Sequence, residues 1–285
     1  MAPVWHLGGL TPGELGKRVC SDIVKDKIFG QAAQLSYYFL LALFPLLLFL
    51  TSLIGIFMGS ESGLRSSLFN YLSQVLPASA SQLVSDTMFE VTSSSGGGKI
   101  SFGIVAALWA ASNGMGAISQ ALNVAYHVKE SRSWWKQRLI AIELTIALAV
   151  LIISALVLVL YGSRIADVIA GSYGFGKVFL VGWKILQWPI VLVFLLLAFA
   201  LIYYWAPNLH QEWRWITPGS VVAIALWMLV SFGFRLYLHF FNSYSKTYGS
   251  LGAVIILMLW FYLTGAAILI GGEVNSDIEG AAAGK

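Results

Sequence analysis

The sequence predicts an all-α fold: a polytopic membrane bundle of six transmembrane helices, with an N-terminal interfacial helix and short helices on the outer side. Two observations carry that expectation. Of 285 residues, 58% are hydrophobic and only 11% charged, less than half the ~25% of an ordinary soluble domain. No polar stretch is long enough for a second globular domain. Residues 31–57, QAAQLSYYFLLALFPLLLFLTSLIGIF, carry no formal charge. At ~1.5 Å rise per residue they extend roughly 40 Å, against ~30 Å of hydrocarbon, so this helix tilts or reaches the headgroups.

Residues 1–30 form the N-terminal tail and the interfacial helix. HLGGLTPGELG leads into KRVCSDIVKDKIFG, where Leu15, Val19 and Ile23 recur at helical spacing among Lys17, Arg18, Lys25 and Lys27. This is either a helix lying on the membrane surface or a solvated linker. The segment lacks the apolar core and cleavage site of a signal peptide, so the helix after it is expected to stay in the membrane. The transmembrane domain covers 31–275, with a short tail at 276–285. In the first span Gln31, Gln34, Tyr38, Ala42, Pro45 and Ser52 fall on one stripe that faces protein or water. Pro45 removes a backbone hydrogen bond near mid-span, which a membrane helix tolerates where neighbours satisfy the freed carbonyl.

The Ser-rich loop 59–100 holds two weakly apolar helices, one with Leu64, Leu68 and Val75 on a face and one at 81–91, expected to cap the outer side. Further spans are expected at 100–126, 139–161, 178–205, 218–241 and 251–271. Thr217 and Pro218 supply an N-cap and a favoured first helical residue for the fifth. Between the second and third, Lys129, Arg132, Lys136 and Arg138 surround the interfacial pair Trp134 and Trp135. The segments on the side of the two termini carry ten Lys and Arg residues and those on the other side five, with Lys184 and Arg235 inside spans. The positive-inside rule therefore places both termini in the cytoplasm.

With that orientation the polar residues gather at the cytoplasmic end. Gln31 and Gln34 open the first span; Asn113, Gly116, Gln120, Asn123 and His127 share a face of the second. Glu143 lies near the start of the third, and Glu273 and Asn275 at the end of the sixth. Polar groups in a span are expensive and line cavities or pair with each other. Two readings remain open: a vestibule lined by Gln31, Gln34, Tyr38, Asn113, Gln120, Asn123, Glu143 and Glu273, or amide glue between helices. Gly114 and Gly116 are close-packing points or, with Pro45, places where the bundle rearranges. Arg235, in the outer third of the fifth span, either snorkels to headgroups or contacts an anion.

Catalytic chemistry is hard to find. The histidines, His6, His127, His210 and His239, belong to no metal-ligand motif, and no phosphate-cradling Gly-Lys-Ser/Thr loop or nucleophile elbow occurs. Cys20 is the only cysteine, which excludes an intrachain disulfide. No cofactor, metal or nucleic acid is expected. The partners expected are membrane lipids and envelope proteins.

DKIFGQAAQLSYYFLLALFPLLLFL at 26–50, SNGMGAISQALNVAY at 112–126 and YGSLGAVIILMLWFYLTGAAILIGGEVN at 248–275 resemble the corresponding blocks of the bacterial YihY/BrkB family. The resemblance implies a six-helix protein of the bacterial inner membrane. It also implies transport, with envelope lipids or osmolytes among the cargoes proposed for the family. Its members have carried the labels virulence factor and ribonuclease BN, and the missing nuclease chemistry argues against the second here. The expectation is a non-enzymatic transporter or lipid flippase taking an amphiphilic or polar cargo from a cytoplasm-facing cavity. The alternative is a non-transporting envelope scaffold or assembly factor.

Overall fold

Thr11 sets the first α-helix. Its hydroxyl accepts the Glu14 backbone N–H at 3.3 Å, and the Glu14 carboxylate accepts the Thr11 backbone N–H at 2.9 Å. Two orphan donors of the first turn are satisfied reciprocally, and Pro12 occupies a position where no N–H is needed. In the computed structural model, residues 4–58, 97–173, 177–209, 211, 216–240 and 244–283 are described, and among them every regular element is helical. A short 3-10 segment, Val4–Gly9, precedes α1 (Pro12–Lys25), α2 (Ile28–Met58), α3 (Gly97–Ala125), α4 (Trp134–Tyr173), α5 (Lys177–Trp205), α6 (Pro218–Phe240) and α7 (Tyr244–Ala282).

Four described helical stretches are long and apolar enough to cross a membrane: Trp134–Ser172, Phe179–Trp205, Pro218–Tyr237 and Val254–Ala282. They fall in α4 to α7. The helices expected at 59–96 lie outside the described residues, and 97–100 already belong to α3. Residues Leu229 and Phe232 of α6 are each 70% exposed and Ile185 of α5 is 67% exposed, an outward face suited to hydrocarbon rather than water.

Four boundaries differ from expectation by five residues or more: α4 begins at Trp134 rather than 139 and α7 at Tyr244 rather than 251, and both also run on at their far ends. The helix expected as the third span runs on past residue 161 to Tyr173, because GSRIADVIAG contains no proline and its Ala and Ile residues sustain the helix. The sixth does not stop at Gly271 and Gly272 but continues to Ala282. Those glycines are contact points. A Cβ on Gly271 would stand 2.6 Å from the Gly219 carbonyl oxygen, and one on Gly272 2.7 Å from Leu122. The missing side chains let α6 and α3 approach α7 directly.

α7 is the central element, packing against α2, α3, α6, α1 and the 3-10 segment. The core gathers where α2 begins and α3 and α7 end, around Ile28, Leu35, Leu122, Tyr203 and Leu269, with Ala32, Ala125, Ala223 and Ala266 keeping the backbones close. Tyr203 donates its buried hydroxyl to the Ile268 carbonyl at 2.7 Å. Thr217 caps α6 as expected, its hydroxyl accepting the Ser220 N–H at 3.1 Å. The cap is completed from α7: Asn275 Oδ1 accepts the Gly219 N–H at 2.8 Å, and Asn275 Nδ2 donates to Thr217 Oγ1 at 3.0 Å.

Val19 of α1 is buried against Val274 and Ile278, with Leu15, Ile23 and the 3-10 residue Leu7 packed around them. The face foreseen from spacing thus meets the end of α7. The chain leaves α1 through Lys27, which adopts a left-handed φ of 52°. A side chain there is strained by about 1–2 kcal/mol, and Lys27 is exposed. Lys27→Gly is therefore expected to stabilise the protein by about 0.5–1 kcal/mol after the extra unfolded-state freedom of glycine is counted, read as a raised unfolding midpoint in detergent.

Candidate functional site

Polar residues of α3 recur at helical spacing, and the structure gives them a hollow to face. Asn113, Gly116, Ser119 and Gln120 of α3, Trp134, Gln137 and Arg138 of α4, and Tyr38 of α2 line a cavity of about 250 Å3. Gly116 makes room for it, since nothing lies within 4 Å of where its Cβ would point. Trp134 and Arg138 stand in the first two turns of α4, where unpaired N–H groups add to the pull on negative charge.

Arg138 Nη1 donates to Asn113 Oδ1 at 2.7 Å, and Nη2 donates to the Trp109 carbonyl. The guanidinium lies 3.9 Å from the centroid of the Trp109 ring, a cation–π geometry. Its partners are all neutral, it forms no ion pair among the described residues, and its Nε is buried without a hydrogen-bond partner. The cavity wall therefore carries positive charge that no described residue compensates.

Arg132, six residues earlier, is in the opposite condition. Its Nη2 meets Glu130 Oε2 at 2.6 Å, Ser119 Oγ at 3.1 Å and the Ala206 carbonyl at 3.0 Å, and its Nε meets Glu130 Oε1 at 2.9 Å. Asn123 donates to Glu130 Oε2 at 2.9 Å and accepts the Asn208 N–H at 2.7 Å. These bonds staple the end of α3 to the chain beyond α5. Arg132 thereby satisfies a carbonyl at a helix C-terminus, where a cation is favoured. Hydrogen bonds from Arg132 hold the Glu130 carboxyl down at about 2.

One turn deeper on the same three helices lies an apolar pocket of about 180 Å3. Phe39, Ala42, Leu46, Gly114, Ile118, Leu148 and Ile152 are among its walls, and Phe261 of α7 packs edge-on to Phe39 with ring centroids 5.8 Å apart. Thr145, its one polar lining residue, donates its hydroxyl back to the Ala141 carbonyl at 2.7 Å, which leaves the surface greasy.

Of the residues singled out from sequence, Tyr38, Asn113, Gly116 and Gln120 meet at the polar cavity. Gly114 lines the apolar pocket, and its Cβ would lie 3.3 Å from that of Ala42. Pro45 sits inside α2 beside the pocket residue Leu46. Asn123 belongs to the Arg132 knot. Gln31 is half-buried, and Gln34, Glu143 and Arg235 are exposed; none of the four lines the cavity. Glu273 is fully buried elsewhere, with neither carboxylate oxygen hydrogen-bonded. His127 pairs at 2.8 Å with Asp26. Ser119 and Gln137 escaped the sequence reading, and Trp134 and Arg138 read there as interfacial residues rather than as cavity wall. A signal existed, because Trp134, Gln137, Arg138 and Ala141 are one face of a helix that begins at Trp134.

A family model described as virulence factor BrkB matches residues 19–285. The chain is 41% identical over 247 residues to the ribonuclease-like protein YfkH of Bacillus subtilis, covering 87% of this chain and 88% of that one. It is 33% identical over 165 residues to a UPF0761 membrane protein of Idiomarina loihiensis, 58% of this chain and 56% of that protein. A UPF0761 membrane protein of Vibrio campbellii is 27% identical over 292 residues, 96% of this chain and 85% of that protein. No solved structure matches the chain.

Proposed function

The chain belongs to the virulence factor BrkB family, and from that premise we propose that it is a non-enzymatic transporter or lipid flippase of the bacterial inner membrane. It takes an amphiphilic or polar cargo from a cavity open to the cytoplasm. The observation that carries this reading is the hollow of about 250 Å3 between α2, α3 and α4, which Asn113, Gln120, Gln137 and Arg138 line and leave unfilled even though Arg138 pairs with Asn113. Amides used only as glue would pair across the helices and leave no hollow between them. Groups held around open volume in an apolar bundle are the usual mark of a binding site.

The cavity adjoins the basic loop before α4, which the distribution of Lys and Arg assigns to the cytoplasm. Exit toward the outer leaflet calls for the α2–α3 seam to part. Pro45, which leaves a carbonyl free in α2, and Gly114, packed on Ala42, are the weak points there. Glu143 and Glu273 do not line the cavity.

Reconstitution tests the reading. Vesicles containing the purified protein are expected to move a fluorescent phospholipid between leaflets faster than protein-free vesicles, and the double variant Asn113→Leu, Gln120→Leu to slow that movement at least tenfold. Wild-type vesicles no faster than empty ones for lipid and for small osmolytes alike would remove the transport reading and leave the scaffold.

A further inference from the structure

The cavity and the apolar pocket are each smaller than the ~300 Å3 at which small-molecule sites usually begin, and together they exceed it. They are also aligned. On α4 the polar wall ends at Ala141 and the apolar wall starts at Thr145; on α2 they meet between Tyr38 and Phe39; on α3 Gly114 and Gly116 face the two compartments. From Arg138 to Ile152 is 14 residues of helix, roughly 21 Å at ~1.5 Å per residue. A charged end near the start of α4 and a greasy slot running toward mid-span reproduce the order of a lipid in a leaflet, headgroup outside and chain inside.

We infer that these two compartments are halves of one site for an anionic amphiphile, its phosphate-type headgroup at Arg138 and its hydrocarbon chain along α4 as far as Ile152. This names the cargo of the cavity and rests on the cargo-binding reading given above. The sign of the charge follows from Arg138, whose partners among the described residues are all neutral; guanidinium binds phosphate oxygens in a fork. A second polar cavity of about 240 Å3, beside Arg132 and Lys136, does not compete. Arg132 there is already neutralised by Glu130.

Native mass spectrometry of the full chain in dodecyl maltoside tests the assignment with dioleoyl phosphatidylglycerol, dioleoyl phosphatidylcholine and glycerol phosphate as probes. The wild type is expected to bind phosphatidylglycerol at least tenfold more tightly than phosphatidylcholine, and glycerol phosphate at least tenfold more weakly than phosphatidylglycerol. Arg138→Gln is expected to erase the preference between lipids and Arg138→Lys to keep part of it. Ile152→Trp, at a 41% exposed position, closes the slot and weakens both lipids without affecting glycerol phosphate.

Equal affinity of the wild type for the two lipids overturns the inference even if every variant fails to fold. Glycerol phosphate binding as tightly as the lipid overturns the chain half and leaves a site for soluble phosphate. The lipid-movement measurement separates this outcome from the broader one. Movement without charge preference keeps transport and removes this site, whereas selective binding without movement keeps the site and removes transport.

Discussion

Gly271→Ala is expected to destabilise the folded protein by roughly 3 kcal/mol, the upper end of what overpacking costs. The added methyl meets the Tyr203 hydroxyl, the Gly219 carbonyl at 2.6 Å and Ala223 at 2.7 Å. Backbone cannot yield as a flexible side chain does. Tyr203 is held by its own hydrogen bond to Ile268, and Gly219 by Asn275. Moving either neighbour therefore strips a buried polar partner, a further ~1–3 kcal/mol. Gly280→Ala in the same helix supplies the control. Nothing lies within 4 Å of its Cβ position, so helix propensity alone predicts a gain of up to ~1 kcal/mol. Thermal unfolding in detergent reads both. A Gly271→Ala midpoint equal to wild type would mean that α6 and α7 do not approach as described.

Arg132→Met is expected to cost about 2–3 kcal/mol, because it removes the cationic partner of the half-buried Glu130 carboxylate, which keeps only Asn123 and the backbone N–H of residue 132, and one of the two side-chain donors to the buried Ala206 carbonyl, which keeps Ser119. Acid should act through the same bond. Arg132 holds the folded-state carboxyl of Glu130 at about 2, below the ~4.3 of an unfolded glutamate. A depressed acid contributes stability that is complete above the unfolded value and disappears as pH falls from there toward the folded one. Unfolding midpoints followed from pH 7 down to about pH 2 should therefore drop through that window in the wild type, and the slope should be shallower in Glu130→Gln. Parallel wild-type and Glu130→Gln curves would exclude Glu130 as the source.

The helical class and much of the polar wall were legible because both depend on periodicity. Asn113, Gly116 and Gln120 share a face whatever surrounds them, and Thr217 with Pro218 announces a helix start locally. What periodicity leaves out is the neighbour across the gap. Arg132 and Arg138 read alike as basic residues of an interfacial loop, yet one is tied to Glu130 and the other faces a hollow. Asn123 continues the stripe of Asn113 and Gln120 but finds Glu130 and Asn208 within reach, which turns a cavity candidate into a structural link. Glycine is ambiguous for a related reason. Gly271 and Gly272 read as a helix end in isolation, while the backbones of α3 and α6 use the absent side chains to come close. Glu143 is near the right depth but two residues from Ala141, about 200° around the helix, and so turns outward.

The N-terminal segment rests on the last turns of α7, and that has a consequence for the order of synthesis. Leu7, Leu15 and Val19 cannot find Val274 and Ile278 until nearly the whole chain has left the ribosome. At ~5–20 residues per second, the leading piece remains undocked for on the order of ten to fifty seconds while the helices between are inserted. A nascent chain arrested before the final helix should therefore expose its first 25 residues to protease, and release of the completed chain should protect them.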